Sequence, residues 1–380
     1  MQIPVRNSKD QQCKRRLKSD VILITVTAFL VVCGLVIIAS AGIARSMLIY
    51  NEPYYFFSHQ LIYGLLPGIV VWLFFQGVDY HKWKKIAFPL IVVAIILLAV
   101  VLLPGIGISL KGAQRWINLG GLSFQPTELC KLALILYLSA WLSSHQGNNE
   151  SFKGFIGFVS ILAVLGFLIM MQPDMGTLGI ITIIALAIYF LSGARLFYFV
   201  ILGFLGSLAV WVLILMAPYR MERITVFLNP SSDTQNKSYQ INQALIAIGS
   251  GGPTGLGLGH GRQKFHYLPE PVGDSIFAIV GEETGMIGCS VLVFLFLLLA
   301  WRGFVISSRA PDCFGRLLAV GFTTWFVFQA LINISAISGI IPLTGIPLPF
   351  ISYGGSALIL ALAGMGILLN ISKQRVVTKK

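Results

Sequence analysis

Asp274 closes a polar stretch and opens an apolar one, in Tyr267-Leu-Pro-Glu-Pro-Val-Gly-Asp274-Ser-Ile-Phe-Ala. A carboxylate at such a boundary is partly desolvated, which suits it to accept a proton as a general base. The same position also suits an aspartate that caps a helix N-terminus. Glu128 and Lys131 lie three residues apart in an otherwise apolar run, so they can meet on one helix face. That spacing reads either as an ion pair that orients its helix or as a lysine presented to an anionic headgroup. Glu282 and Glu283 are adjacent, so about 100° separates them around a helix and they cannot both face one partner. Structural pairing is expected for at least one of them. Residues 251–261 read GGPTGLGLGHG. Glycine-rich backbone can cradle phosphate. This stretch lacks the lysine of a P-loop and follows no strand pattern, so we read it as a tight-turning loop.

The elements that must position these residues are membrane helices. The chain has 380 residues, of which 56% are hydrophobic and 11% charged, with a mean hydropathy of +0.84. A soluble domain carries about 25% charged residues, so a soluble enzyme is excluded, as is a disordered protein. The apolar runs are near 20 residues long and lack two-residue alternation, which excludes a β-barrel. An all-α polytopic fold with ten spans is expected, at 21–44, 56–78, 86–103, 126–143, 154–171, 176–192, 196–217, 275–301, 316–341 and 351–372. One membrane domain thus covers 21–372, between basic tails at 1–20 and 373–380. With both termini cytoplasmic, 18 of the 27 Lys and Arg lie inside, 8 lie outside and Lys131 lies within a span. That bias follows the positive-inside rule. The net charge of +13 is therefore directed at anionic lipid and not at nucleic acid.

A lone charge at the bilayer centre costs roughly 2.5–3.5 kcal/mol. Glu128, Lys131, Glu282 and Glu283 are therefore expected to face the protein interior and to pair. Two outward segments exceed ordinary connectors, 104–125 and 218–274. The second is read as an ordered cap with a helix near 239–249. Prolines and glycines at 339–349 break helix between the last two spans, and irregular backbone at that depth survives only when buried in protein or lining a cavity. The five cysteines and five histidines have no disulfide or metal-ligand spacing.

Ordered segments along the chain read Lys111-Gly-Ala-Gln-Arg-Trp-Ile-Asn-Leu119, Gln125-Pro-Thr-Glu-Leu-Cys-Lys131, Gln172-Pro-Asp-Met-Gly-Thr177, Pro218-Tyr-Arg220 through Arg223-Ile-Thr, Asn229-Pro, and Tyr239-Gln-Ile-Asn-Gln. Tyr267-Leu-Pro-Glu270 with Asp274 and Ile276-Phe-Ala, Gly281-Glu-Glu283 with Gly285, and Pro349-Phe-Ile-Ser-Tyr-Gly-Gly355 follow. Together they resemble the SEDS family (shape, elongation, division and sporulation), the FtsW/RodA polymerases of peptidoglycan. The similarity covers about 20–372 and favours the division (FtsW) branch over the elongation (RodA) branch.

The resemblance implies a glycosyltransferase acting on lipid II at the outer face of the bacterial cytoplasmic membrane, at the division septum. It implies a class B penicillin-binding protein as transpeptidase partner, beside other divisome proteins. It places the family's essential aspartate on Asp274, its outer-loop arginine on Arg115, its membrane lysine on Lys131 and its Leu-Pro-Glu glutamate on Glu270. Where the family usually has His-Thr before the aspartate and Phe after it, this chain has Val272-Gly273 and Ser275. Arg220, Arg223 and Lys264 are further candidates to meet the diphosphate of the substrate. A divalent cation (magnesium or manganese) bridging Asp274 or Glu270 to that diphosphate is compatible with the reaction, although no ligand spacing demands one. A lipid II flippase and a non-catalytic division scaffold are the alternatives.

Overall fold

The computed structural model describes residues 19–105, 107–110, 113–119, 122–145, 151–215, 218–228, 238–265 and 267–374. The outermost parts of both basic tails, 1–18 and 375–380, lie outside the described residues. Helix α1 (Val21–Ala41) runs into the short α2 (Ile43–Tyr50). The next span, Tyr55–Gly77, is built from α3 (Tyr55–Gln60), a π turn (Leu61–Leu65) and α4 (Leu66–Gly77). A 3₁₀ turn (Tyr80–Lys82) leads into α5 (Trp83–Val100). Then follow α6 (Pro126–Ser144), α7 (Phe152–Met171), α8 (Met175–Leu191), α9 (Leu196–Leu215), α10 (Pro218–Leu228) and α11 (Tyr239–Gly251). The chain closes with α12 (Ile276–Ser308), α13 (Cys313–Ile337) and α14 (Gly355–Lys373).

Among the described residues, eight helices are long and apolar enough to cross a membrane, and the 17-residue α8 is apolar but shorter. Glu128 and Lys131 within the 19-residue α6 set it apart from those eight. The molecule is thus a helical polytopic membrane protein. The expected helix near 239–249 is α11. Two elements were not expected. Helix α10 occupies the first part of the long cap. The segment before α6 folds into a three-stranded antiparallel meander, β1 (Gly107–Leu110), β2 (Ala113–Leu119) and β3 (Leu122–Phe124), so the chain is not strictly all-α. In β2 the side chains alternate, which puts Arg115 on the face of the buried Ile117.

Burial is uneven. Helices α13 and α14 are 78% buried over their apolar windows, whereas α9 is 6% buried. The far end of the bundle from Asp274 is pinned by charge. Asp20 caps α1 through the Leu23 amide at 3.1 Å, pairs with Arg302 of α12, and donates its own amide to the Ser372 hydroxyl at 3.2 Å. Asp312 caps α13 through the Gly315 amide at 3.1 Å and accepts the Tyr80 hydroxyl.

Helix α12 is broken at Gly285 (φ 65°, ψ −163°), and the glycine-rich loop fills the break. The Leu256 and Gly257 amides donate to the Glu282 and Glu283 carbonyls, each at 3.0 Å. The Met286 and Ile287 amides donate to the Gly252 and Pro253 carbonyls at 2.9 and 3.1 Å. Backbone groups freed by the break are thus re-satisfied by the loop, as a low-dielectric setting requires. These loop amides are committed to α12, which agrees with a tight-turning loop and leaves no cradle for phosphate. A Cβ on Gly285 would lie 2.3 Å from the Gly255 nitrogen and would need a left-handed φ. We expect Gly285→Ala to destabilise the protein by on the order of 2–4 kcal/mol, seen as a large drop in the thermal midpoint of the detergent-solubilised protein.

Candidate functional site

Asp274 sits one residue before the N-cap of α12 and is partly buried. The turn leading to it starts at Glu270, which takes a left-handed backbone (φ 50°) and accepts the Gly273 amide at 3.0 Å. Three successive carbonyls then receive hydrogen bonds from distant parts of the chain. Val272 O accepts from the Tyr353 amide at 2.8 Å, Gly273 O from the Ser352 hydroxyl at 2.7 Å, and Asp274 O from Asn333 Nδ2 at 2.8 Å. The carboxylate itself faces the Gln240 amide of α11, with Nε2 at 3.3 Å from Oδ2, and the Ser275 hydroxyl at 3.5 Å from Oδ1. Gln240 also donates to Ser275 at 3.0 Å. Both of these contacts are long for hydrogen bonds, whereas the three main-chain carbonyls are held at 2.7–2.8 Å.

The break between α13 and α14 is the other wall. Asn333 and Gln329, one helical turn apart on α13, donate to Ile346 O at 2.7 Å and to Pro347 O at 2.9 Å. Ser352 Oγ accepts the Leu348 amide at 2.8 Å. A Cβ on Gly345 would lie 3.8 Å from Asp274 Oδ2, and one on Gly176 of α8 would lie 2.8 Å from Thr344 O. The segment is therefore wedged between α8, α13 and the Asp274 turn.

On the α8 side of that wedge lies Arg115. Its Nε donates to Gln172 O at 3.0 Å, and an Nη donates to Pro173 O. Asp174 Oδ2 is 3.9 Å from Nε. Asp174 in turn caps α8 through the Thr177 amide at 3.1 Å and hydroxyl at 2.7 Å. The arginine is 28% exposed, so the sheet delivers a partly open cation to the junction of α7 and α8.

Lys131 is buried. Its Nζ is 2.8 Å from Glu128 and 2.7 Å from Gln329 Oε1, and lies 4.9 Å from the Trp325 ring centroid. The cavity beside it, lined by Glu128, Trp325, Gln329 and residues 347–350, measures about 20 Å³. Lys131 is thus met by a carboxylate, an amide oxygen and an aromatic ring within the protein.

The remaining expected residues divide between clasps and surface. Glu270 is gripped by both Nη atoms of Arg45 at 2.8 and 3.2 Å. Glu282 accepts the Arg262 amide at 2.6 Å and the Gln263 amide at 3.1 Å. Glu283 accepts from Lys264 at 2.7 Å, and Ser40 bridges the two at 2.6 and 2.9 Å. Both glutamates are thus structural, on different faces of α12. Lys264, expected to reach diphosphate, is instead 2% exposed within this clasp. Arg223 of α10 is exposed and donates to Leu343 O at 2.9 Å. Arg220 belongs to α10, and its side chain lies outside the described residues.

The sequence alone did not single out Arg45, Gln240, Gln329, Asn333 or Ser352. Two of these carried a signal, since Gln240 and Ser352 lie inside segments already quoted for the family resemblance. Of the two residues expected to bridge a cation to diphosphate, Glu270 has both oxygens engaged by Arg45 and Asp274 faces Gln240. No step of the reaction is routed through a cation. Removing one member of a buried pair leaves a buried charge, at about 3–5 kcal/mol. We expect Lys264→Met to lower the thermal midpoint accordingly, and Lys264→Met with Glu283→Gln to recover most of the loss.

The family model described as a cell cycle protein (FtsW, RodA, SpoVE) matches residues 20–376. The chain is 41% identical to the Stage V sporulation protein E of Bacillus subtilis, over 94% of this chain and 98% of that protein. It is 40% identical to the probable peptidoglycan glycosyltransferase FtsW of Trichlorobacter lovleyi, over 94% of each. Among solved structures it resembles a chain of a peptidoglycan synthase complex that coordinates polymerization and crosslinking. There the TM-score is 0.78 and the identity 28%, over 93% of this chain and 97% of that one. It also resembles the Rod shape determining protein RodA of Thermus thermophilus, with a TM-score of 0.69 and 25% identity over 95% and 98% of the two chains. The chain belongs to the FtsW/RodA/SpoVE family.

Proposed function

We propose that this protein is a peptidoglycan glycosyltransferase that polymerises lipid II at the outer face of the cytoplasmic membrane. The observation that carries the reading is the presentation of Asp274, a partly buried carboxylate on a main chain anchored at three successive carbonyls. Relatives named as probable peptidoglycan glycosyltransferases, similar over nearly their whole length, support it. We take ten crossings from the apolar runs, and the orientation with both termini cytoplasmic and Asp274 outward from the bias of Lys and Arg.

In the reaction, the 4-hydroxyl of the acceptor sugar attacks the anomeric carbon of a lipid-linked donor. The new glycosidic bond forms as the bond to undecaprenyl diphosphate breaks. A hydroxyl is a poor nucleophile at neutral pH. A positioned carboxylate that accepts its proton is worth roughly 10²–10⁴-fold, and Asp274 takes that role. Negative charge gathers on the leaving diphosphate, so a fixed cation aimed there favours the transition state over the ground state. Arg115 is best placed for this, being partly open and already oriented by two carbonyls. Arg223, exposed beside the 342–354 segment, is a second contact. Lys131 supports the wall through Gln329. The partner is a class B penicillin-binding protein whose transpeptidase cross-links the strand, and the setting is the division septum. The likeness to a chain of a synthase complex supports the first, and the family's description as a cell cycle protein supports the second.

Purified with that partner and given labelled lipid II, the wild-type protein should yield a glycan ladder on a gel. Asp274→Asn should abolish the ladder with the thermal midpoint retained. Arg115→Ala should slow polymerisation by roughly 10²-fold. Full activity of Asp274→Asn would refute the base assignment. Transfer of lipid II across vesicles without any glycan would replace the reading with a flippase.

A further inference from the structure

The geometry points to Asn333 as a positioning residue for Asp274, an inference that rests on the glycosyltransferase reading above. Asn333 is 1% exposed, on the interior face of α13. Both hydrogens of its amide are used. One goes to Asp274 O at 2.8 Å and the other to Ile346 O at 2.7 Å. A single side chain therefore ties the start of α12 to the irregular segment after α13. Its Oδ1 is buried and makes no hydrogen bond, and an orphaned acceptor of that kind is uncommon in an interior. A residue chosen to fill space would not carry it. An amide is needed here for two donors, and the unused acceptor comes with them.

Gln329 repeats the arrangement one turn earlier. Its Nε2 donates to Pro347 O at 2.9 Å, and its Oε1 accepts from Lys131 at 2.7 Å and from Trp325 Nε1 at 2.8 Å. Residues i and i+4 share a helix face, so α13 offers two amides to adjacent carbonyls. The Lys131–Glu128 pair is thereby joined to Asp274 through Gln329, the 346–347 backbone and Asn333. An aspartate side chain has only two rotatable bonds, so its carboxylate follows the main chain. The carbonyl that Asn333 holds is the one belonging to Asp274 itself, so Asn333 helps to set where the carboxylate stands. A displacement of about 1 Å at a reacting group can cost about 100-fold in rate.

The test uses the full chain with its transpeptidase partner and compares Asn333→Ala, Asn333→Thr and Asn370→Ala. Threonine keeps the volume and one donor. Asn370 is another buried asparagine, at the opposite end, where it accepts the Tyr80 amide at 3.0 Å and donates to Gln76 O at 2.9 Å. We expect Asn333→Ala to lower kcat about 10- to 100-fold with KM for lipid II changed by less than about twofold. Asn333→Thr should fall between it and wild type, and stands in for it should the alanine variant not accumulate. Asn370→Ala should keep kcat near wild type even where its thermal midpoint falls as far. Hydrogen exchange, read on the same proteins without substrate, should quicken at 273–276 and 345–349 in the Asn333 variants alone. Unchanged kcat, a parallel loss in Asn370→Ala, or unchanged exchange in those two segments would each overturn the proposal. Were wild type to make no glycan, the glycosyltransferase reading would fall, while the exchange result would still decide whether Asn333 ties the two segments.

Discussion

Backbone that leaves a helix inside a membrane protein has to find hydrogen-bond partners within the protein, because hydrocarbon supplies none. The segment between α13 and α14 meets that demand with side chains from three directions. Arg223 takes Leu343 O, Asn333 takes Ile346 O, Gln329 takes Pro347 O, and Ser352 accepts the Leu348 amide. Two of these same groups, with the Tyr353 amide, also take the three carbonyls of residues 272–274. The aspartate turn is therefore held by the solution to a problem of polar satisfaction. The wall and the carboxylate share their fastenings.

The same constraint explains the charged interior. At Gly285 the helix breaks, and the loop at 251–257 restores the lost hydrogen bonds. That arrangement leaves Glu282 and Glu283 beside the loop, where one takes main-chain amides and the other takes Lys264. A buried charge without a partner is expensive, and paired with good geometry it is tolerable. Each of these glutamates locks the outward cap to the bundle. Arg45 does likewise for Glu270. By contrast α9 is almost wholly exposed, and few packed side chains oppose its displacement.

Main-chain anchoring also accounts for the departure from the family pattern beside Asp274. With Val272-Gly273 in place of His-Thr, no side chain there can hydrogen-bond to the carboxylate. The turn is held through its carbonyls, which any residue supplies, and Val272 itself is buried at 3% exposure. Ser275 in place of Phe adds a hydroxyl that Gln240 of α11 engages. The anchors of the Asp274 turn are thus main-chain carbonyls.

Much of the architecture was legible in the residues. Hydropathy and charge are local properties, so the apolar runs located the helices of the bundle, and the pairing of Glu128 with Lys131 followed from their spacing. Asp274 and Arg115 entered through motif resemblance. The β-meander went unread because short strands among glycines carry little periodic signal, and α10 because its arginines and glutamate hid any apolar stripe. What only the tertiary structure decided is who meets whom. Asn333 lies 59 residues from Asp274 and Ser352 lies 79 from Gly273, and no local pattern ties such pairs. The assignment of Lys264 to a buried clasp and of Arg45 to Glu270 is of the same kind. A sequence states which groups are costly to bury; the packing of helices determines which partner satisfies each of them.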